Sequence, residues 1–196
     1  DFTMADHSSG VGVFTGCTSL TSIDLSSCTS LGTLAFKDCT ALTTVTLPNS
    51  DCGIGYGAFR GCTHLTSIDL SNITSLANPS TDHGHFRGCS SLTSVDLSSC
   101  TTLGHSTFRG CSSLSNIIGL SNILATMTDV PEYVFSGTAL TSLSFPVATT
   151  IGEFACQGMS SLTSVSMPNV LTIGNQAFSD CTSLAGDLTL PKCTTI

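Results

Sequence analysis

One pattern governs what this chain can fold into: the unit F-x-x-C-x-x-L-T-S-I-x-L recurs along nearly its whole length. Its anchors are Phe14, Phe36, Phe59, Phe86, Phe108, Phe135, Cys156 and Phe178, at intervals of 22, 23, 27, 22, 27, 21 and 22 residues. Cys156 takes an anchor place because Ile151, Gly152 and Ala155 before it and Leu162 after it keep the frame. A unit of this length cannot bury its own apolar face. Identical units stacked on one another can, and they make one continuous core. The two long intervals put their extra residues at 78–82 and 125–132, which read as loops bulging from one coil.

Each unit holds one short strand. In Leu92-Thr93-Ser94-Val95-Asp96-Leu97, Val95 and Leu97 share one face while Ser94 and Asp96 take the other. The same alternation occurs at Ile23/Leu25, Val45/Leu47, Ile68/Leu70, Leu143/Phe145 and Val165/Met167. A polar turn and a second apolar position follow (Leu31, Ile54, Leu76, Leu103, Ile151, Ile173, Ile196), and a glycine leads back to the next anchor. The expected fold is an α/β-type repeat solenoid: residues 1–196 as a single right-handed coil of about eight repeats. One parallel β-sheet should run along its side, with strand and loop dominant and little helix. Repeat five carries an extra residue in its strand, Ile117-Ile118-Gly119-Leu120, and repeat six is one residue short between Phe135 and Leu140.

The phrases Ile173-Gly174-Asn175-Gln176-Ala177-Phe178-Ser179-Asp180-Cys181-Thr182-Ser183-Leu184 and Leu162-Thr163-Ser164-Val165-Ser166-Met167-Pro168 resemble the BspA-like leucine-rich repeat family, and the resemblance extends over residues 11–196. It implies a secreted or surface protein of the kind that bacteria and protists use for adhesion and for host or matrix contact. The implied function is non-enzymatic binding of a protein or glycan at the cell surface.

Composition excludes other classes. Serine and threonine number 31 and 30 of 196 residues, charged residues are 9%, and the net charge is −8. A general nucleic-acid binder needs phosphate-neutralising Lys and Arg in quantity, so nucleic acid is not an expected partner. No apolar run approaches the ~18 residues of a membrane span, so no membrane insertion is expected. No Ser/His/Asp order or paired-carboxylate arrangement recurs with catalytic logic, and no glycine-rich motif fits a phosphate loop, so no enzyme and no cofactor are expected.

The eleven cysteines fall mostly into columns. Cys17, Cys39, Cys62, Cys89, Cys111 and Cys181 lie three residues after their anchors, where Thr138 and Met159 substitute. Cys28, Cys100 and Cys193 share a second column with Ile73, Ile123, Ala148 and Val170. A site that accepts Cys, Ile, Val and Ala reads as a small apolar core site with free thiols. Inter-coil disulfides, with off-column Cys52 among the partners, are the alternative; zinc is disfavoured by the lack of any C-x-x-C pair.

The repeat also turns sequence neighbours into surface columns. Lys37, Arg60, Arg87 and Arg109 each follow an anchor directly, so four of the five basic residues lie in one stripe. Such a stripe needs carboxylates, backbone carbonyls or an external anion; an acidic glycan or an acidic face of another copy would serve. On the exposed strand face, Asp24, Asp69 and Asp96 share a column, and the last two are close enough to offer oxygens to a hard cation. His83 and His105, three residues before their anchors, are weak metal candidates that read equally as loop residues. Asn72-Ile73-Thr74 is an N-glycosylation sequon.

No terminal cap is legible. Residues 1–10 read as a partial unit before Phe14, and Ile196 stops inside a repeat. Two readings follow: a longer array, or head-to-tail stacking of open ends near Phe14 and Ile196 into filaments or a surface layer.

Overall fold

The computed structural model describes residues 2–3, 12–186 and 188–196. It shows a β-solenoid of about seven turns with parallel strands and almost no helix. The strands expected from alternation are present at Ser22–Asp24, Thr44–Thr46, Ser67–Ile68, Ser94–Asp96, Asn116–Ile118, Ser142–Ser144 and Ser164–Ser166. Their register repeats turn by turn: Ile23 faces Val45, Ile68 faces Val95, Val95 faces Ile117, and Leu143 faces Val165. These central residues point into the core while their neighbours on each side face outward.

The expectation of a single strand per turn changes. The second apolar position is itself the end of a short parallel strand, seen at Cys28–Leu31, Gly53–Ile54, Ser75–Leu76, Thr102–Leu103, Asp129–Val130, Thr150–Ile151 and Thr172–Ile173. Leu31 pairs with Ile54, Leu76 with Leu103, and Val130 with Ile151 and then Ile173. Most of these strands are two residues long, too short for alternation to be visible in sequence. Asp129–Val130 is one of them, so part of the segment read as a loop over 125–132 is strand.

The long fifth turn also contains the helix Leu120–Leu124, which buries Ile123 and Leu124. Gly119 starts it with φ 84°, and a Cβ there would lie 2.6 Å from the Leu97 carbonyl oxygen. The extra residue of this repeat therefore does not shift the strand; Asn116–Ile118 stays in frame with Ser94–Asp96. The helix makes the turn a splice. It pairs with the preceding turn through Asn116–Ile118 and with the following turn through Asp129–Val130. Ser142–Ser144 pairs only with Ser164–Ser166, and Thr102–Leu103 only with Ser75–Leu76.

The anchors form the third corner. Phe14, Phe36, Phe59, Phe86 and Phe108 stack face to face, with ring centroids 5.2, 5.6, 5.6 and 5.9 Å apart. All but Phe14 are fully buried. Hydrogen bonds join each turn to the next here: Phe36 N–H to the Ala58 carbonyl, Phe86 to Thr107, Phe108 to Val134, Phe135 to Ala155, Cys156 to Ala177. The residue two after every anchor has positive φ. It is glycine after six anchors and aspartate after two, Asp38 (φ 58°) and Asp180 (φ 59°), and both residue types tolerate this region.

Candidate functional site

The strand face presents two outward columns. One is hydroxyl- or amide-bearing (Ser22, Thr44, Ser67, Ser94, Asn116, Ser142, Ser164), and all of these but the half-buried Ser94 are exposed. The other holds Asp24, Asp69 and Asp96. Their carboxylates end strands: Oδ1 accepts the backbone N–H of Ser26 (2.9 Å), Ser71 (3.0 Å) and Ser98 (2.9 Å), and Ser98 Oγ also donates to Asp96. These bonds hold Asp24 and Asp69 below the ordinary carboxylate range. The column is thus a set of turn-makers that keep a negative charge at the surface. The register pairs Ser67 with Ser94 and Ile68 with Val95, which brings Asp69 beside Asp96. Beside Asp96 in turn stands Ile118, 49% exposed. Ser67, Asp69, Ser94, Asp96 and Ile118 line one open depression. Ile118 was hidden in sequence by the extra residue of its repeat.

The basic stripe exists, and its partners come from one insertion and from neighbouring repeat columns. Lys37 lies 3.7 Å from Asp38. Arg60 and Arg87 both donate through Nη1 to the Asp82 carbonyl, at 3.0 and 3.1 Å, and Arg87 also lies 3.6 Å from the Asp82 carboxylate. The Arg109 guanidinium carbon lies over the Tyr133 ring, 3.9 Å from its centroid, and Tyr133 stacks on Phe154 at 4.6 Å. Burial and the nearby charges of Arg109 and Arg60 lower the Arg87 pKa.

Asp82 is held by the loop over residues 78–82. Buried Asn78 braces it, its Nδ2 donating to the carbonyls of Ser80, His83 and His105 and its Oδ1 accepting from Ser80 N–H. His83 Nδ1 meets Ser80 Oγ at 3.1 Å, and His105 Nδ1 accepts the Glu132 N–H at 3.2 Å. One nitrogen of each ring is thereby engaged within the fold. Among the described residues no three His, Cys, Asp or Glu side chains are grouped as metal ligands. Asn72 is exposed, while the Thr74 hydroxyl donates to Asp51 at 2.7 Å. Phe14 is half-buried against Phe36, and Ile196 is 89% exposed.

The thiols are free. In the first cysteine column, each thiol from the second turn onward reaches back to the anchor carbonyl of the preceding turn. Cys39 reaches Phe14, Cys62 Phe36, Cys89 Phe59, Cys111 Phe86 and Cys181 Cys156, at 3.0–3.2 Å. Burial pushes the pKa of these thiols up. Threonines beside the strands do the same with hydroxyls: Thr43, Thr93 and Thr163 donate to the carbonyls of Thr21, Thr66 and Thr141. Part of the Ser/Thr excess therefore stitches turns together, a role that composition alone does not reveal.

The family model for the BspA type leucine rich repeat region matches residues 8–126 and 80–196, with six copies. The chain belongs to the BspA-type leucine-rich repeat family. Among solved structures it is similar to a leucine-rich repeat protein of T. pallidum, with 23% identity and a TM-score of 0.57 over 88% of this chain and 68% of that one. It is also similar to a leucine-rich cell surface protein of Faecalibacterium prausnitzii, with 22% identity and a TM-score of 0.54 over 88% of this chain and 60% of that one. These likenesses establish the BspA-type fold. A comparison with curated proteins finds no match.

Proposed function

We propose that this BspA-type chain is a non-enzymatic surface module that binds a protein or glycan ligand across its strand face. The observation that carries the reading is the two-column outward face. Turn after turn, a buried residue alternates with exposed polar groups, giving a flat, repetitive, hydrogen-bonding surface. Ile118 and the carboxylates of Asp69 and Asp96 give that surface a local centre with both apolar and charged character. The F. prausnitzii neighbour is described as a cell surface protein, which supports an extracellular location. The test is binding of the purified chain to a panel of immobilised matrix proteins and glycans, beside the double variant Ser67→Arg/Ser142→Arg. Both changes lie at exposed positions and leave the core untouched. Capture of a ligand by the parent and its loss in the variant is expected. No ligand in the panel, or equal binding by the variant, would overturn the proposal.

A further inference from the structure

We propose that Arg60, Arg87 and Arg109 form a second binding site, separate from the strand face, for the oxyanions of a sparsely charged acidic glycan. The three residues follow anchors in consecutive turns, so their backbones are spaced about 4.8 Å apart. All three side chains are half-buried. Among the described residues, one carboxylate, that of Asp82, ion-pairs with this group of three cations; it is 78% exposed and touches Arg87 alone. The protein has a net charge of −8, yet it concentrates like charge here instead of dispersing it. Holding three guanidiniums together with so little compensation is unfavourable, and a bound anion relieves the repulsion.

The guanidiniums are also held in place before any ligand arrives. The braced loop over residues 78–82 supplies one carbonyl that orients Arg60 and Arg87 through a single nitrogen each. The Tyr133 ring, itself stacked on Phe154, holds the Arg109 guanidinium carbon 3.9 Å from its centroid, and the guanidinium N–H groups have no acceptor among the described residues. A guanidinium held by an aromatic ring, with its N–H groups unpaired, suits a carboxylate or sulfate taken in two parallel hydrogen bonds.

The surroundings select the kind of anion. A hydroxyl column, Thr63, Ser90 and Ser112, runs through the same three turns, three residues after each arginine; these hydroxyls donate to the carbonyls of Thr40, Thr63 and Ser90 and keep lone pairs to accept from a ligand. The protein's overall negative charge opposes any long, densely charged chain, such as nucleic acid, that extends past the patch. A polysaccharide with anionic units separated by neutral hydroxylated ones matches both features.

The experiment titrates the full chain with hyaluronan oligosaccharides, which carry one uronate per disaccharide, by calorimetry at about 50 and about 200 mM salt. Poly-glutamate and duplex DNA are titrated in parallel. Binding of hyaluronan that weakens with salt is expected, together with a loss of at least about tenfold in the Arg60→Ser/Arg87→Ser/Arg109→Ser variant. Arg109→Ser alone serves if the triple variant is not folded by circular dichroism, because among the described residues that side chain engages the Tyr133 ring and no hydrogen-bond acceptor. Arg109→Lys keeps the charge but not the fork, and is expected to bind more weakly than the parent. Absence of hyaluronan binding overturns the proposal, as does unchanged affinity in the arginine variants. Tighter binding of poly-glutamate or DNA than of hyaluronan overturns the glycan assignment. The Ser67→Arg/Ser142→Arg variant is expected to bind hyaluronan as the parent does, so failure of the strand-face reading shows separately.

Discussion

Replacing Cys111 separates what the buried thiol column contributes by volume from what it contributes by hydrogen bonding. The side chain is fully buried, and its Sγ–H donates to the Phe86 carbonyl at 3.0 Å. That carbonyl also accepts the backbone N–H of Cys89 at 3.0 Å, so it keeps one partner when the thiol is lost. The hydrogen bond is therefore worth only about 0.5 kcal/mol, the low end for a neutral bond, since a thiol is a weak donor. Removing the sulfur as well costs about 1 kcal/mol in buried apolar surface, and the cavity left beside the phenylalanine stack raises this further. Cys111→Ala is expected to lose about 2 kcal/mol and Cys111→Val, which refills the space, about 0.5 kcal/mol. Cys111→Thr should fall between them. The chain makes that exchange itself at Thr138, whose hydroxyl turns to its own anchor carbonyl, that of Phe135, at 2.9 Å. Urea unfolding followed by circular dichroism reads the differences. A melting scan should show a fall of about 4–8 °C for the alanine variant. A valine variant as damaged as the alanine one, or an alanine variant as stable as the parent, would refute this account of the column.

Three further outcomes are expected. Burial raises the pKa of Cys62, Cys89, Cys111 and Cys156 above the ordinary value near 9, so at high pH the unfolded chain loses these protons while the folded one keeps them. Stability is then full below about pH 9 and falls above it, with a limiting slope of about 5 kcal/mol per pH unit for four such thiols; a urea midpoint under reducing conditions that stays flat from about pH 8 to 10 would contradict this. Buried His85 has its pKa pushed down to about 4 by desolvation, and its Nδ1 has no hydrogen-bond partner among the described residues. The unfolded chain therefore takes up a proton that the fold refuses, and about 3 kcal/mol should be lost as pH falls from about 6.5 to 4; His85→Gln should lose that much less over the same interval, and an unchanged acid profile would remove His85 from the account. Finally, a Cβ at Gly84 would sit 1.8 Å from the Ser106 carbonyl oxygen, so Gly84→Ala must push two turns apart. A loss of about 3 kcal/mol is expected, and a melting temperature within about 2 °C of the parent would refute the close approach.

The sequence was most informative where the repeat multiplies a signal. The anchor spacing located the phenylalanine stack, and alternation located the strands from Ser22–Asp24 to Ser164–Ser166, because each feature occurs in turn after turn. The Arg stripe was legible for the same reason. Its partners were not. Asp82 sits in an insertion that the repeat frame does not index, and Tyr133 and Phe154 lie two residues before their anchors, in a column that elsewhere holds Leu34, Gly57, Ser106 and Gln176. The second line of strands escaped because two-residue strands have no period to detect. The thiol and threonine bonds to neighbouring carbonyls escaped because periodicity says which side a residue faces and nothing about the partner it finds there.

The hydrogen bonds of the anchor corner also give that corner an electrical direction, opposite to that of such cross-turn bonds beside the strands as Thr43 N–H reaching back to Thr21 and Gly104 N–H to Leu76. At the positions two before, at, and two after the anchors, every cross-turn N–H from Phe14 to Gly158 donates to a carbonyl of the following turn, as when Gly16 reaches Lys37 and Gly158 reaches Ser179. The peptide dipoles of this corner therefore add along the solenoid axis, with the positive pole toward the later turns, the reverse of an α-helix. At this corner each turn offers donors to the turn that follows it and acceptors to the turn that precedes it. Two such corners set head to head would oppose like poles.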